Sequence, residues 1–249
     1  MITTLRRLVH VLLQVAFCTT LCVAQSNLDG FAARLHEGPS KQNIPYRLFV
    51  PPRYKPSEKY PLILWLHGSD GLGTDNRKQI SGFSKPGSHV WTKSENQAQH
   101  SAFVVAPQSA GLWDASMALV LETLRELEAE FSIDTTRLYI VGQSMGGIGA
   151  WYFIEHNPTL FAAAIPVCGA GDPDYAFQIR QLPIWAFHGA RDRNVPVSGS
   201  RKMIAAIRQL DGKARYTEYP DMDHFIWKRV FAQRDLVDWL FAQRNPATH

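Results

Sequence analysis

The sequence predicts an α/β fold: one domain with a mostly parallel central sheet and helices on both faces. Three observations predict it. Short apolar runs end abruptly at Gly or Pro. These runs lack polar alternation, as strands buried on both faces do. They also alternate along the chain with segments of helical period, the pattern of right-handed βαβ units.

In chain order, Tyr46-Arg-Leu-Phe-Val50 alternates and stops at Pro51-Pro52, a strand reading. Pro61-Leu-Ile-Leu-Trp-Leu-His67 ends at Gly68 and Ala102-Phe-Val-Val-Ala106 ends at Pro107, and both read as doubly buried strands. Met117, Val120, Leu121, Leu124, Leu127 and Phe131 recur at the spacing of an amphipathic helix. A strand follows over Arg137–Val141, then a turn and helix over Gly142–Asn157 that Pro158 stops. Ala162–Val167 and Pro183–Phe187 are two more strands. Ser198–Leu210 is a helix with Met203, Ile204, Ile207 and Leu210 on one face. Tyr216–Tyr219 is the last strand, and Phe225–Phe241 is helical, in one piece or two.

With 249 residues, 45% of them apolar and 19% charged, the chain is outside the disordered and fibrous classes. The formal net charge is +4, but no run of five basic residues occurs, and no nucleic-acid partner is expected. Nothing repeats at a solenoid period. From Arg7 to Asp29 no charged residue intervenes. Arg6 and Arg7 precede the apolar stretch Leu8–Phe17, and the small residues Cys22 and Ala24 suit a signal peptidase. Residues 1–24 are therefore expected to be a cleaved signal peptide, 25–44 a lead-in and 45–249 the catalytic domain. The apolar core is too short and its tail too polar for the span of about 20 residues that a membrane anchor needs, so no lasting membrane insertion is expected. Phe17 and Leu21, large residues before Cys18 and Cys22, argue against lipoprotein processing. Cleavage removes two of the three cysteines, leaves Cys168 without a partner, and lowers the net charge from +4 to +2.

In sheets of this class the site lies at the carboxyl ends of the strands. After Val141 stands Gly142-Gln-Ser-Met-Gly146, a G-x-S-x-G turn between strand and helix. This sharp turn presents a serine as nucleophile, here Ser144, beside a helix N-terminus. No Lys-Ser/Thr follows the glycines, which excludes a phosphate loop. The base must follow, and His224, past the last strand in Asp221-Met-Asp-His224, is preferred to the helical His156 and to His188, read as a packing residue. The acid is expected between serine and base. Asp192 fits best, in a loop after one strand and before a helix, over Asp172, Asp174, Asp221 and Asp223. Arg191 and Arg193 beside it are read as solvated or locally paired. The backbone N–H groups of Met145 and Ser69 are the expected oxyanion donors. Trp113 and Trp227 are candidate walls for substrate. His67, Asp70, Asp75 and His224 match no zinc spacing, so no metal and no cofactor are expected.

From Tyr46 to Trp239 the chain resembles the α/β-hydrolase superfamily. Within it, the chain is similar to small exported phospholipase/carboxylesterase, polyhydroxybutyrate-depolymerase-like and feruloyl-esterase-like serine esterases. The resemblance rests on Tyr60-Pro-Leu-Ile-Leu-Trp-Leu-His-Gly68, Gly142-Gln-Ser-Met-Gly-Gly147, the Phe161–Pro173 stretch, His188-Gly-Ala-Arg-Asp-Arg-Asn-Val-Pro196, and Tyr216–Pro220 with His224. It implies Ser144, Asp192 and His224 as a triad, an α/β-hydrolase fold without a large lid, and hydrolysis of small or polymer-borne esters outside the cytoplasm. The chain departs from the family pattern at Asp221-Met-Asp223, where a Gly is usual, and at Ser69-Asp-Gly-Leu72. The acids beside His224 are expected to bear on its pH response. The competing classes are a serine peptidase of the prolyl-oligopeptidase-like type and a non-catalytic binding module.

Overall fold

The computed structural model describes residues 27–39 and 42–245. The expected signal peptide, with Cys18 and Cys22, lies outside the described residues. Eight strands are formed: β1 (Ala32–Glu37), β2 (Asn43–Phe49), β3 (Tyr60–Leu66), β4 (Phe103–Pro107), β5 (Ile133–Gln143), β6 (Ala163–Val167), β7 (Ile184–Gly189) and β8 (Ala214–Tyr219). The helices are α1 (Lys85–His89), α2 (Ser94–Gln99), α3 (Trp113–Glu130), α4 (Met145–His156), α5 (Ala176–Ile179), α6 (Ser198–Gln209), α7 (Trp227–Val230) and α8 (Arg234–Phe241). The strands form one sheet in the order β1-β2-β4-β3-β5-β6-β7-β8. β1 and β2, and β2 and β4, pair antiparallel; every other pairing is parallel.

Period-2 geometry sends alternate residues of a strand to opposite faces, and β3 shows why its run is apolar throughout. Leu62, Leu64 and Leu66 enter one core with Val120, Leu124 and Leu127 of α3 and Met203 and Ile207 of α6. Ile63 and Trp65 enter the other with Trp91, Val230 and Leu236. The two cores, one on each side of the sheet, hold the strand ends in fixed register. The ends of β3, β5, β7 and β8 are where the site is built.

The expected lead-in contains β1, which the residue pattern did not announce. As an edge strand it is mostly half-buried or exposed. It is tied down by polar contacts rather than by an apolar face. Arg34 pairs with Glu130, and the buried His36 ring sits 2.9 Å from Glu126 and 3.1 Å from Glu122, all three carboxylates on α3. The final helical span is broken into α7 and α8. Cys168 is buried and free, and no helix among the described residues is long and apolar enough to cross a membrane.

At the far end of α4 a buried carboxylate braces the loop after β6. Glu155 accepts a hydrogen bond from the Asp172 N–H at 2.8 Å. Burial pushes its carboxyl up to about 7, against the pull of that N–H. A folded-state value above the unfolded one means stability present below the unfolded value and lost as pH rises through the folded one. Glu155→Gln keeps the acceptor and removes the charge. It is expected to raise stability by about 1–3 kcal/mol at pH 8, read as a higher urea midpoint, with the gain vanishing at pH 4.5.

Candidate active site

β5 ends at Gln143 and α4 begins at Met145, so the whole turn is Ser144. Its φ of 56° and ψ of −120° lie where non-glycine residues are rarely found. Two contacts hold it there: Ser144 N–H donates to Val167 O at 2.8 Å, and Ile148 N–H donates to Ser144 O at 3.0 Å. The flanking glycines are required by close approach. A Cβ on Gly142 would lie 2.0 Å from Gly146 O, and one on Gly146 would lie 2.0 Å from Leu66 O. The helix can therefore press onto the strand ends and lift the serine side chain above the sheet.

The Ser144 hydroxyl is 2.8 Å from His224 Nε2, and His224 Nδ1 is 2.6 Å from Asp192 Oδ2. The three residues come from the ends of β5, β8 and β7, and they meet across 80 and 32 residues of sequence. Asp192 Oδ1 accepts from the N–H groups of Asn194 at 2.8 Å and Val195 at 2.9 Å. Burial pushes the Asp192 carboxyl up, but the bonds from His224, Val195 and Asn194 outweigh it and hold the group below the usual carboxylate range. A charged carboxylate at Nδ1 leaves Nε2 free to take the serine proton.

A cleft of about 690 Å³ opens over these residues, within the size range of small-molecule sites. Ser69 and Met145 both line it. Met145 is the first residue of α4, where an N–H has no partner within the helix. Leu72, Phe83, Leu112, Ile148, Phe225 and Trp227 give the cleft an apolar wall. Four of these, Phe83, Leu112, Ile148 and Phe225, are exposed, and the rings of Phe83 and Phe225 lie 5.3 Å apart.

The two candidate tryptophans part company. Trp227 lines the cleft. Trp113 is buried behind it, donating its indole N–H to His67 O at 3.1 Å and packing where a Cβ on Gly149 would stand. It is a structural residue, because its single polar atom is satisfied inside the fold. His188, expected to pack, is fully buried with Nδ1 2.8 Å from Ser200 Oγ, and its Nε2 is 3.0 Å from Val195 O and 3.2 Å from Asp192 Oδ2. His156 is on the helix surface with Nδ1 at Tyr152 O. The acids beside His224 are exposed: Asp221 faces Arg229, and Asp223 accepts the Phe225 N–H. Cys168, His188 and Asp192 place ligand-type atoms within 4.8 Å of one another. The His188 and Asp192 atoms are already engaged by the bonds above, so the cluster reads as part of the hydrogen-bond network. The wall residues Phe83 and Leu112 carried no sequence signal. Phe225 had one, its place next to His224.

Comparison with known proteins identifies the family. The family described as "Putative esterase" matches residues 39–224. A solved thermostable esterase shares 36% identity at a TM-score of 0.81, covering 87% of this chain and 64% of its own. The feruloyl esterase module of Clostridium thermocellum shares the fold at a TM-score of 0.66 and 15% identity, covering 88% of this chain and 90% of its own. Among curated proteins, an uncharacterized secreted protein of Arthroderma benhamiae is 27% identical over 77% of this chain and 25% of its own length. A bifunctional acetylxylan esterase/xylanase of Neocallimastix patriciarum is 28% identical over 72% of this chain and 27% of its own. The chain thus spans about a quarter of the length of these two curated relatives.

One titratable group under the site sets an acid limit on the fold. His67, at the end of β3, places Nδ1 2.6 Å from Gly68 O and accepts the Ser109 N–H on Nε2 at 3.0 Å. A proton on Nε2 would displace that donor, and burial lowers the imidazole to about 4. The unfolded chain takes up this proton first, so stability is retained above the ordinary histidine value and lost as pH falls from 6.5 toward 4. The loss is expected to reach about 3 kcal/mol. In urea titrations, His67→Gln is expected to show a shallower fall over this window than the parent.

Proposed function

The chain belongs to this esterase family, and on that premise we propose that it is an exported serine carboxylic ester hydrolase working through an acyl-enzyme on Ser144. The observation that carries the reading is the continuous relay Ser144–His224–Asp192 at 2.8 and 2.6 Å. His224 Nε2 takes the hydroxyl proton as Ser144 Oγ attacks the ester carbonyl. Asp192 keeps Nδ1 protonated and stabilises the imidazolium that forms. The N–H groups of Met145 and Ser69 receive the oxyanion, and one such donor is typically worth about 3 kcal/mol in the transition state. His224 then returns its proton to the leaving alcohol. It next activates a water, which releases the acid and restores Ser144.

The substrate class follows from the shape of the cleft. It is open and walled by exposed apolar side chains. Esters of acylated polysaccharides, hydroxycinnamoyl esters and polyester fragments present an acyl group of this kind outside the cell. Export is supported by the sequence of residues 1–24 and by the likeness to a protein described as secreted.

Ser144→Ala is expected to lower kcat/KM for p-nitrophenyl acetate by at least about 10³-fold with circular dichroism unchanged. A fluorophosphonate probe is expected to label the parent at Ser144 and to miss the variant; labelling of the variant would remove the assignment. Asp192→Asn is expected to reduce kcat by about 10³- to 10⁴-fold through the wrong imidazole tautomer. Side-by-side rates on feruloyl esters, acetylxylan and aminoacyl anilides test the class, and cleavage of the anilides alone would point to a peptidase.

A further inference from the structure

Two arginines stand beside the catalytic cleft on the His224 side. Arg191 and Arg193 flank Asp192 in the loop after β7, and with Asn194, Asp223, His224 and Phe225 they line a second cavity of about 380 Å³. Asn194, His224 and Phe225 also line the catalytic cleft, so the two spaces adjoin. Ser144 lines only the first, and His224 lines both.

The turn that carries the arginines is pinned. Arg191 N–H donates to Met222 O at 3.0 Å and Asp192 N–H to Gly189 O at 3.2 Å. Asp192 points inward and is buried, so its neighbours on either side stay exposed. Some exposed arginines sit on carboxylates, Arg201 on Glu218, Arg215 on Asp235 and Arg229 on Asp221. Neither Arg191 nor Arg193 has an ion pair or side-chain hydrogen bond among the described residues. Asp223 is the one carboxylate lining their cavity, and one of its oxygens already accepts the Phe225 N–H. In the catalytic cleft the charge is of the other sign, carried by Asp70.

We propose that Arg191 and Arg193 form an anion subsite that receives a carboxylate carried by the leaving alcohol of the ester. The proposal rests on the assignment of Ser144 and His224 above. The acyl carbon–oxygen bond breaks as His224 Nε2 hands its proton to the departing oxygen, so the alcohol must lie against the imidazole. An alcohol that continues past the ring enters the second cavity, while the acyl group stays against the apolar wall. A guanidinium fork matches a carboxylate, and acidic sugars in a polysaccharide carry that group on the alcohol side. Exposed charges give a modest and salt-sensitive preference.

The experiment compares kcat/KM for 4-acetoxybenzoate and its neutral match 4-acetoxybenzamide, with phenyl hydrogen succinate and phenyl butyrate as the pair whose carboxylate is on the acyl side. The parent is expected to favour the leaving-group carboxylate about tenfold. That ratio should collapse in Arg191→Gln/Arg193→Gln and in about 0.5 M NaCl. Arg208→Gln, an exposed arginine on α6, should keep it, and Arg193→Lys should retain part of it. An unchanged ratio in the double variant, or an equal drop for the acyl-side pair, overturns the subsite while leaving the esterase reading intact. No hydrolysis of any ester, with Ser144 unlabelled by fluorophosphonate, overturns both.

Discussion

The site depends on one close backbone contact, the N-terminus of α4 seated on the ends of β3 and β5. Ser144 occupies a backbone region that costs on the order of 1–3 kcal/mol, and it is kept there by Val167 O and by the first turn of α4. Gly142 and Gly146 leave no room for a side chain at either point. The consequences are joined. The same turn raises Ser144 Oγ toward His224, leaves the Met145 N–H outside the helical ladder, and directs the positive end of the helix at the cleft. Loosening the contact would displace Ser144 and Met145 together.

The second requirement is to keep a buried carboxylate ionised. Asp192 is enclosed, yet its two oxygens meet Asn194 N–H, Val195 N–H and His224 Nδ1. His188 adds to this set. Its Nε2 faces only acceptors, Val195 O and Asp192 Oδ2, so by elimination the proton of the neutral ring sits on Nε2. Nδ1 lies 2.8 Å from Ser200 Oγ, whose hydroxyl donates to Gly169 O at 2.8 Å. Burial lowers the His188 pKa, so the ring supplies a hydrogen bond without adding a buried charge. The polar network thus extends from Ser144 through four further side chains into the base of α6.

What the sequence made legible is what the sheet dictates. The doubly buried runs of β3 and β4 were readable because both faces had to be apolar, and Gly142–Gly147 because a sharp turn tolerates only small neighbours. The strand ends then ordered Ser144, Asp192 and His224 along the chain, and the structure brings those three together. The edge strand β1 escaped because Arg34 and His36 dock it by charge, which leaves no alternating pattern. The segment between β3 and β4 escaped because its short helical turns are set by tertiary contacts, such as Trp65 Nε1 on Gln79 O. Trp113 was misplaced for a related reason. An indole near a strand end serves equally as wall or as packing, and only the His67 carbonyl decides between them.

The wall residues differ in how directly their chain segments join the relay. Phe83 and Leu112 belong to segments that carry no triad residue, and Phe83 reaches the relay only through neighbours, by packing on Phe225 and accepting from the Gln143 side chain at 3.0 Å. The alcohol side is joined directly. Arg191 and Arg193 share a turn with Asp192, and Phe225 follows His224 directly. A backbone shift that re-aimed either arginine would also move the carboxylate that orients the base. On the proposed reading, recognition of the alcohol is therefore built into the same turn as the triad acid and is constrained by it, whereas the acyl wall is coupled to the relay only through neighbouring residues.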